Sequence, residues 1–312
     1  MTALNGYIYQ AIEGFEDHLK AELGSYKELG ENLYLGFDNE KPVFWTRNIW
    51  LSPFQAEFSS IKEASRILRT IQRNWSPVLF TQFRRGALIQ AELPPLSSKP
   101  RPFPWILPSA SFGAWSLLDA HTMIASPQCS SPFPSGIIEF EEDKEEPPSR
   151  AYLKLWEALV RCRKFPQAGD RCLDAGASPG GWTWALAKLG AEVTAVDRAP
   201  LEERISAMPN VTFIKHDAFT LNPSDIGRVQ WLFCDVICYP PRLYDWIMKW
   251  LDSGLCENFI CTIKMQGQPD RETVRKFAAI PESSVVHLYN NKHELTWMKI
   301  SDQRTAAHDI QL

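Results

Sequence analysis

The chain has no CxxC pair, and its seven cysteines form an odd, scattered set. That excludes a disulfide framework and the paired spacing of a structural zinc site, and it points to reduced thiols in a cytoplasmic protein with no resident metal. Cys234 and Cys238, four residues apart, read as core thiols at a strand end. No apolar run approaches the roughly 20 residues of a membrane span, so no membrane partner is expected. The opening MTALNGYIYQ has neither a basic nor an apolar export region, so no export signal is expected either. Excess positive charge is also lacking: the net charge is −4. Its distribution matters more than its sum. Residues 1–148 hold 13 Lys+Arg against 18 Asp+Glu, and residues 149–312 hold 20 against 19. The run EFEEDKEE at 139–146, with six acids and one lysine, accounts for the whole N-terminal excess. Both halves are otherwise near neutral, so a nucleic-acid partner is not excluded.

What is present is an ordinary globular composition, 45% hydrophobic and 22% charged, over a length that suits two domains. The acidic run is preceded by SPQCSSPFPSG (126–136) and followed by two prolines, which is linker chemistry. The boundary is placed near 145, giving a domain over 1–145 with an acidic, Pro-rich end and a second over 146–312.

Beyond the boundary the pattern alternates. A helix is expected from an N-cap at Ser149 through RAYLKLWEALVRC. Short apolar runs follow at 171–176, 191–197, 211–217, 231–236 and 258–265, with helical stretches at 180–189, 201–208, 240–252 and 270–279. Strands alternating with helices imply a doubly wound parallel α/β sheet. The ending departs from this rule. SSVVHLYNN (283–291) and ELTWMKIS (294–301) are separated only by Lys292 and His293, which predicts an antiparallel hairpin. The fold class expected is therefore a Rossmann-like methyltransferase sheet, mostly parallel with an antiparallel last strand, beside a smaller N-terminal α+β domain. A dinucleotide oxidoreductase is the competing reading.

In the first half, YIYQAI, LYLGF, PVFWT and GALIQAEL read as strands and GFEDHLKAEL as a helix. In IKEASRILRTIQRNW (61–75), Ile61, Ala64, Leu68 and Ile71 share one face while Lys62, Arg66, Arg69 and Arg73 share another. Arg84, Arg85, Lys99 and Arg101 follow, with Phe83, Phe103 and Trp105 interleaved. Cations beside aromatic faces suit RNA, and Lys62, Arg66, Arg69, Arg73, Arg84 and Arg85 are the RNA-binding candidates. A solvated helix face beside core aromatics explains the same charges.

The stretch LDAGASPGGWTWALAKLGAEVTAVD (173–197) carries the most specific signal. A pyrophosphate-binding turn reads GxGxxG, whereas here Asp174 ends the strand and Gly176 is followed by Pro179, Gly180 and Gly181. A carboxylate at that place would repel a pyrophosphate and suit a ligand with a cationic end, such as S-adenosyl-L-methionine. Asp197 closes the second strand, where an acidic side chain bonds ribose hydroxyls. Asp217 closes the third, placed for an adenine amino group.

This stretch resembles the cofactor motif of the FtsJ-like RNA ribose 2′-O-methyltransferases, and within them the ribosomal RNA large subunit methyltransferase M family. The neighbouring SPFPSGI, PSRAYLKLWEAL, WLFCDV, CTIKM and LYNNKHELTWMKI agree. The likeness covers roughly 130–301 and reaches the first half only through GFEDHLKAEL. It implies S-adenosyl-L-methionine as cofactor, held by Ser149, Asp174, Gly176, Ala177, Ser178, Pro179, Gly180, Gly181, Trp182, Asp197, Asp217 and Asp235. It implies a Lys-Asp-Lys-Glu catalytic set, matched by Lys154, Asp235, Lys264 and Glu294. It also implies an N-terminal ferredoxin-like and THUMP RNA-binding region, which this chain has room for only in reduced form.

The chemistry explains the set. A ribose 2′-hydroxyl attacks a sulfonium methyl only as its proton is removed, and a lysine serves as general base only when its pKa falls toward working pH. Burial and a second ammonium lower it, whereas neighbouring carboxylates oppose that. Lys264 is assigned as base, Lys154 as orienter, and Asp235 and Glu294 as positioning groups. The expected activity is 2′-O-methylation of ribosomal RNA. Transfer or capped RNA, or an RNA-binding assembly role with little turnover, are the alternatives. After Lys264 the segment MQGQPDRE lacks the lysines expected for phosphate contact, a gap that Arg161, Arg163 and Lys164 could fill. A monomer or weak dimer is compatible with all of this.

Overall fold

The computed structural model describes residues 1–37, 41–97 and 99–301. Contacts divide the chain into two units, Met1–Glu141 and Glu142–Leu312.

The first unit opens with β1 (Thr2–Ala3), β2 (Tyr7–Gln10), α1 (Glu16–Leu23), β3 (Tyr26–Gly30), β4 (Leu33–Gly36) and β5 (Asn48–Trp50). It continues through β6 (Phe54–Glu57), α2 (Ile61–Ile71), β7 (Trp75–Pro77), α3 (Phe83–Ala91), β8 (Gly113–Leu117) and β9 (Thr122–Ser126). Two sheets result, ordered β3-β4-β2-β5 and β1-β6-β9-β8-β7. The first is antiparallel throughout. In the second, only β7 and β8 run parallel. Helix α2 begins where Ser60 accepts from the Glu63 amide, and it buries Ala64 and Leu68 on the face that spacing selects.

Two readings of this half need correction. GALIQAEL is not a strand but most of α3. Gly86, Ile89 and Leu93 are its buried residues, at helical spacing, and Gly86 is small because a Cβ there would lie 2.4 Å from Leu79 Cδ1. PVFWT is not a strand either. The amides of Phe44 and Trp45 donate to the Glu22 carboxylate, which takes them out of any ladder, and pairing begins only at Asn48.

The second unit carries α4 (Tyr152–Cys162), β10 (Arg171–Ala175), α5 (Gly181–Lys188), β11 (Glu192–Asp197), α6 (Glu203–Ser206), β12 (Val211–Lys215) and α7 (Pro223–Ile226). Then come β13 (Val229–Cys234), α8 (Pro240–Ser253), β14 (Cys256–Lys264), α9 (Arg271–Ala278), β15 (Ser283–Val286) and β16 (Glu294–Lys299). The seven strands are ordered β12-β11-β10-β13-β14-β16-β15. The first five are mutually parallel, and β16 is antiparallel to both β14 and β15. Residues 258–263 of β14 are all buried, as a central parallel strand covered on both faces requires.

The antiparallel ending is present, but it is no two-residue hairpin. β16 lies inside the sheet, and its connection to β15 is seven residues long, 287–293. His287 Nε2 lies 2.9 Å from the Lys292 carbonyl oxygen, and the Asn291 amide donates to Leu288 O, so this stretch closes on itself instead of extending the ladder. The helix expected from Ser149 begins at Tyr152. Ser149 instead holds its Oγ 3.4 Å from the Ala151 amide. Among the described residues no helix is long and apolar enough to cross a membrane.

Candidate active site

The turn leaving β10 is built around one close approach. Gly176 has φ +80°, and a Cβ on it would stand 2.4 Å from Val236 Cγ2. Only glycine allows that fit. The amides of Gly176 and Ala177 donate back to the Val196 carbonyl, tying the turn to β11. Gly180 has φ +118° and caps α5. A Cβ on Gly181 would lie 2.6 Å from Ser149 Oγ, so the glycine pair lets Ser149 reach the turn. Trp182 acts as a buttress: its Nε1–H donates to the Ala151 carbonyl at 2.8 Å, and its ring meets Phe233 edge-on.

Above the turn lies a cleft of about 400 Å³ at the carboxyl edge of the sheet, where ligands of open α/β sheets bind. Of the expected cofactor residues, Gly176, Ser178, Pro179, Asp197, Asp217 and Asp235 line it. Ser149, Asp174, Ala177, Gly180, Gly181 and Trp182 are not part of that lining. Asp197 accepts the Ser178 amide at 3.1 Å and the Ala199 amide at 2.9 Å, one on each oxygen. Each oxygen keeps a lone pair for a hydroxyl donor. Asp217 accepts the Phe219 amide and is paired with Arg242 at 3.2 Å, a partner that sequence reasoning missed. Arg242 also stands over the Phe219 ring at 4.8 Å. Three carboxylates, a glycine floor and ribose-bonding geometry at Asp197 fit S-adenosylmethionine, whose charged end is cationic.

Asp174 is placed otherwise than as a direct greeter of that cation. It is 1% exposed, with Oδ2 accepting from Thr183 Oγ1 at 2.6 Å and Oδ1 buried without a partner. Burial pushes its pKa up to about 7, with the Asp235 and Asp197 charges adding to the rise and the Thr183 bond opposing it.

The four residues of the Lys-Asp-Lys-Glu set converge. Lys154 Nζ lies 3.1 and 3.0 Å from the two Asp235 oxygens and 3.0 Å from Glu294 Oε1. Lys264 Nζ lies 3.0 Å from Asp235 Oδ1. The sheet explains the meeting: Asp235 follows β13, Lys264 ends β14, and β16 runs backward so that Glu294 pairs opposite Lys264 in register. Burial works to raise the Asp235 carboxyl, but the Lys154 and Lys264 ammoniums outweigh it and hold it below its ordinary value. Burial works to lower Lys154, but Asp235 and Glu294 outweigh it and keep that ammonium charged. Lys264 lines the cleft and Lys154 does not.

Two supports escaped the sequence. Thr262 Oγ1 donates to Asp235 Oδ1 at 2.6 Å, fixing its rotamer. Glu157, one turn beyond Lys154 on α4, is 1% exposed. It accepts the Tyr289 amide at 2.7 Å, the Asn290 amide at 2.9 Å and Asn290 Nδ2 at 2.8 Å. Helix α4 therefore grips the strand-ending loop by its backbone and Glu294 by its carboxylate. The i, i+3 spacing of two charged residues on a buried helix was the only available signal.

Lys164 is not free to contact phosphate. Its Nζ is held by Asn258 Oδ1 and by the carbonyl and hydroxyl oxygens of Ser301. In the first unit Lys62, Arg66, Arg69, Arg73 and Arg84 are exposed. Arg73 lies beyond the end of α2, and half-buried Arg85 stands over the Phe58 ring at 5.2 Å. No cluster able to hold a metal ion occurs among the described residues.

A parallel sheet with one reversed inner strand, a glycine turn under an acidic cleft and a lysine–carboxylate cluster at the strand ends give the second unit a Rossmann-like fold with a candidate site at its carboxyl edge. The chain matches the FtsJ-like methyltransferase family model over residues 147–293. Its relatives include the ribosomal RNA large subunit methyltransferase M of Azoarcus sp. strain BH72, 34% identical over 53% of this chain and 49% of that one. The protein of the same name from Xanthomonas oryzae pv. oryzae is 29% identical over 75% of this chain and 68% of that one. The chain spans about half the length of the Azoarcus relative and of the protein of the same name from Thauera aminoaromatica.

The raised Asp174 carboxyl makes stability pH-dependent. Folding favours its proton, so the stabilisation is complete below the unfolded pKa near ~4 and is lost as pH rises toward 7. Compared with an Asp174→Asn variant, the native protein should lose on the order of 2–4 kcal/mol between those limits. Urea midpoints of both proteins across that range check it; parallel curves would contradict it.

Glu157→Ala removes the carboxylate that accepts two part-buried amides, at a cost of about 1 kcal/mol each. Hydrogen exchange at the Tyr289 and Asn290 amides should quicken at least ~10-fold, while β10 and β13 amides hold. Unchanged exchange at 289–290 would show that the loop does not depend on Glu157.

Proposed function

We propose that this protein is an S-adenosylmethionine-dependent RNA methyltransferase that modifies a ribose 2′-oxygen of large-subunit ribosomal RNA. The observation that carries this reading is the asymmetry between the two lysines. Lys154 is shared by two carboxylates and withdrawn from the cleft, whereas Lys264 touches one carboxylate oxygen and lines the cleft. That oxygen is already divided among Thr262, Lys154 and Lys264. Lys264 is therefore the more weakly held ammonium and the one able to reach a substrate.

In this mechanism S-adenosylmethionine, when bound, supplies the electrophilic methyl group. Asp197 holds ribose hydroxyls, and Asp217 with Arg242 bounds the adenine side. Lys264, deprotonated at Nζ, accepts the 2′-hydroxyl proton as the oxygen becomes nucleophilic. Lys154 stays charged and keeps Asp235 and Glu294 in place, so the base is positioned before substrate arrives. Alignment of the ribose oxygen supplies much of the acceleration.

The first unit supports an RNA role in outline. Its succession β2-α1-β3-β4-β5 is a ferredoxin-like run with no second helix among the described residues of 37–47. We read Met1–Glu141 as a reduced ferredoxin-like and THUMP-like RNA-binding region whose α2 presents Lys62, Arg66 and Arg69. Such a protein works in the cytoplasm, where its RNA is.

Lys264→Ala should lower methyl transfer to large-subunit ribosomal RNA by at least ~10²-fold, with S-adenosylmethionine affinity retained in calorimetry. Asp197→Ala should lose cofactor binding itself. Loss of cofactor affinity in Lys264→Ala would remove its assignment as base. Binding of NADH in place of S-adenosylmethionine would reject the whole reading.

A further inference from the structure

The segment after Asp235 has an unusual surface for a place so close to the reacting groups. In Ile237-Cys238-Tyr239-Pro240 the side chains alternate out and in: Ile237 is 75% exposed, Cys238 7%, Tyr239 65%, and Pro240 is buried. The backbone at Tyr239 is extended, with φ −68° and ψ 139°. Both ends are anchored. Upstream, Asp235 is fixed by Lys154, Lys264 and Thr262. Downstream, the Tyr239 carbonyl accepts the amides of Arg242 and Leu243 and caps the start of α8. An aliphatic and an aromatic side chain are thus held out in water by a segment that has little freedom to fold them away. Ile237 lines the same cleft as Lys264.

We propose that Ile237 and Tyr239 form a stacking platform for an unpaired nucleobase of the RNA substrate, next to the ribose presented to Lys264. This rests on the methyltransferase reading above and names how that site holds its substrate. The chemistry selects the occupant. Proteins that read single-stranded RNA stack splayed bases on exposed aromatic rings, because every base has a π-face. A phosphate would gain nothing from an isoleucine and a tyrosine ring. The cations nearby belong to the cleft and are already paired there, Arg242 with Asp217 and Lys264 with Asp235. A neutral, flat surface at the rim with cations within it matches a nucleotide, base outward and sugar inward. The ring alone is needed, so the hydroxyl of Tyr239 is dispensable and the aromatic face is not.

The test uses the full chain and in-vitro-transcribed large-subunit ribosomal RNA as probe. Tyr239→Ala should raise the KM for RNA at least ~5-fold, the lower end of what one stacked base contributes. The calorimetric affinity for S-adenosylmethionine and the thermal unfolding curve should match the native protein. Tyr239→Trp and Tyr239→Phe, which keep a ring, should rescue the KM. A single-stranded RNA carrying 2-aminopurine should lose fluorescence on the native protein and not on Tyr239→Ala. An unchanged KM in Tyr239→Ala, or a rise in Tyr239→Phe equal to that in Tyr239→Ala, would overturn the platform while leaving the activity standing. A native protein that methylates no RNA would instead bring down the underlying reading, and the platform with it.

Discussion

The Asp235 carboxylate is the interaction on which the rest of the second unit depends. Its Oδ1 takes three donors, from Thr262, Lys154 and Lys264, and its Oδ2 takes Lys154 again. Those donors come from α4 and β14, and Lys154 carries the link on to Glu294 at the start of β16. Burying such charges is costly, several kcal/mol per ion, and it is tolerated only because two lysines and two carboxylates cancel formally and are densely hydrogen-bonded. Lys154 is the member the others lean on most, because without it both Asp235 and Glu294 lose a buried cation. This explains why a strand running against its neighbours is placed inside the sheet. The reversed strand starts at the carboxyl edge and so sets Glu294 opposite Lys264.

Asp174 shows the same constraint from the other side. It lies on β10 between the strand that ends in Asp197 and the strand that Asp235 follows, so a third full negative charge there would be unfavourable. Burial and those neighbours raise its pKa, and the single Thr183 hydroxyl only partly opposes them. Of these strand-end carboxylates, Asp174 is thus raised by its burial while Asp235 is lowered by its two lysines. The cleft is acidic where a cation is to be received and not deeper.

Much of this was legible in the sequence because the strand ends were. Apolar runs of the right length, each closed by aspartate or lysine, located β10 to β14 and placed Asp197, Asp217, Asp235 and Lys264 at one edge. The turn was legible because glycine pairs and proline have few uses. Other features left no periodic mark. Arg242 is one of many arginines until α8 carries it over Phe219. Glu157 looks like a solvated helix charge until α4 is seen to be buried on nearly every side. Asp174 has the spelling of a ligand contact, and only the folded chain shows it buried beneath the cleft and bonded to Thr183. GALIQAEL misled because a short apolar run does not reveal its period; Gly86 and Ile89 settle it only once Leu79 is known to lie against them.

The cluster carries an internal conflict that shapes the chemistry. A carboxylate that positions Lys264 also stabilises its ammonium, and a base must give that proton up. The geometry softens the conflict by unequal sharing. Lys154 takes contacts to both oxygens of Asp235 and one to Glu294, while Lys264 takes one, on an oxygen already serving two other donors. The negative charge that faces Lys264 is therefore largely committed elsewhere. Under the proposed mechanism Lys264, with one carboxylate contact beside an ammonium that stays charged, is the lysine placed to meet a substrate. Lys154, shared by two carboxylates, is what leaves Lys264 with a single one at the cleft.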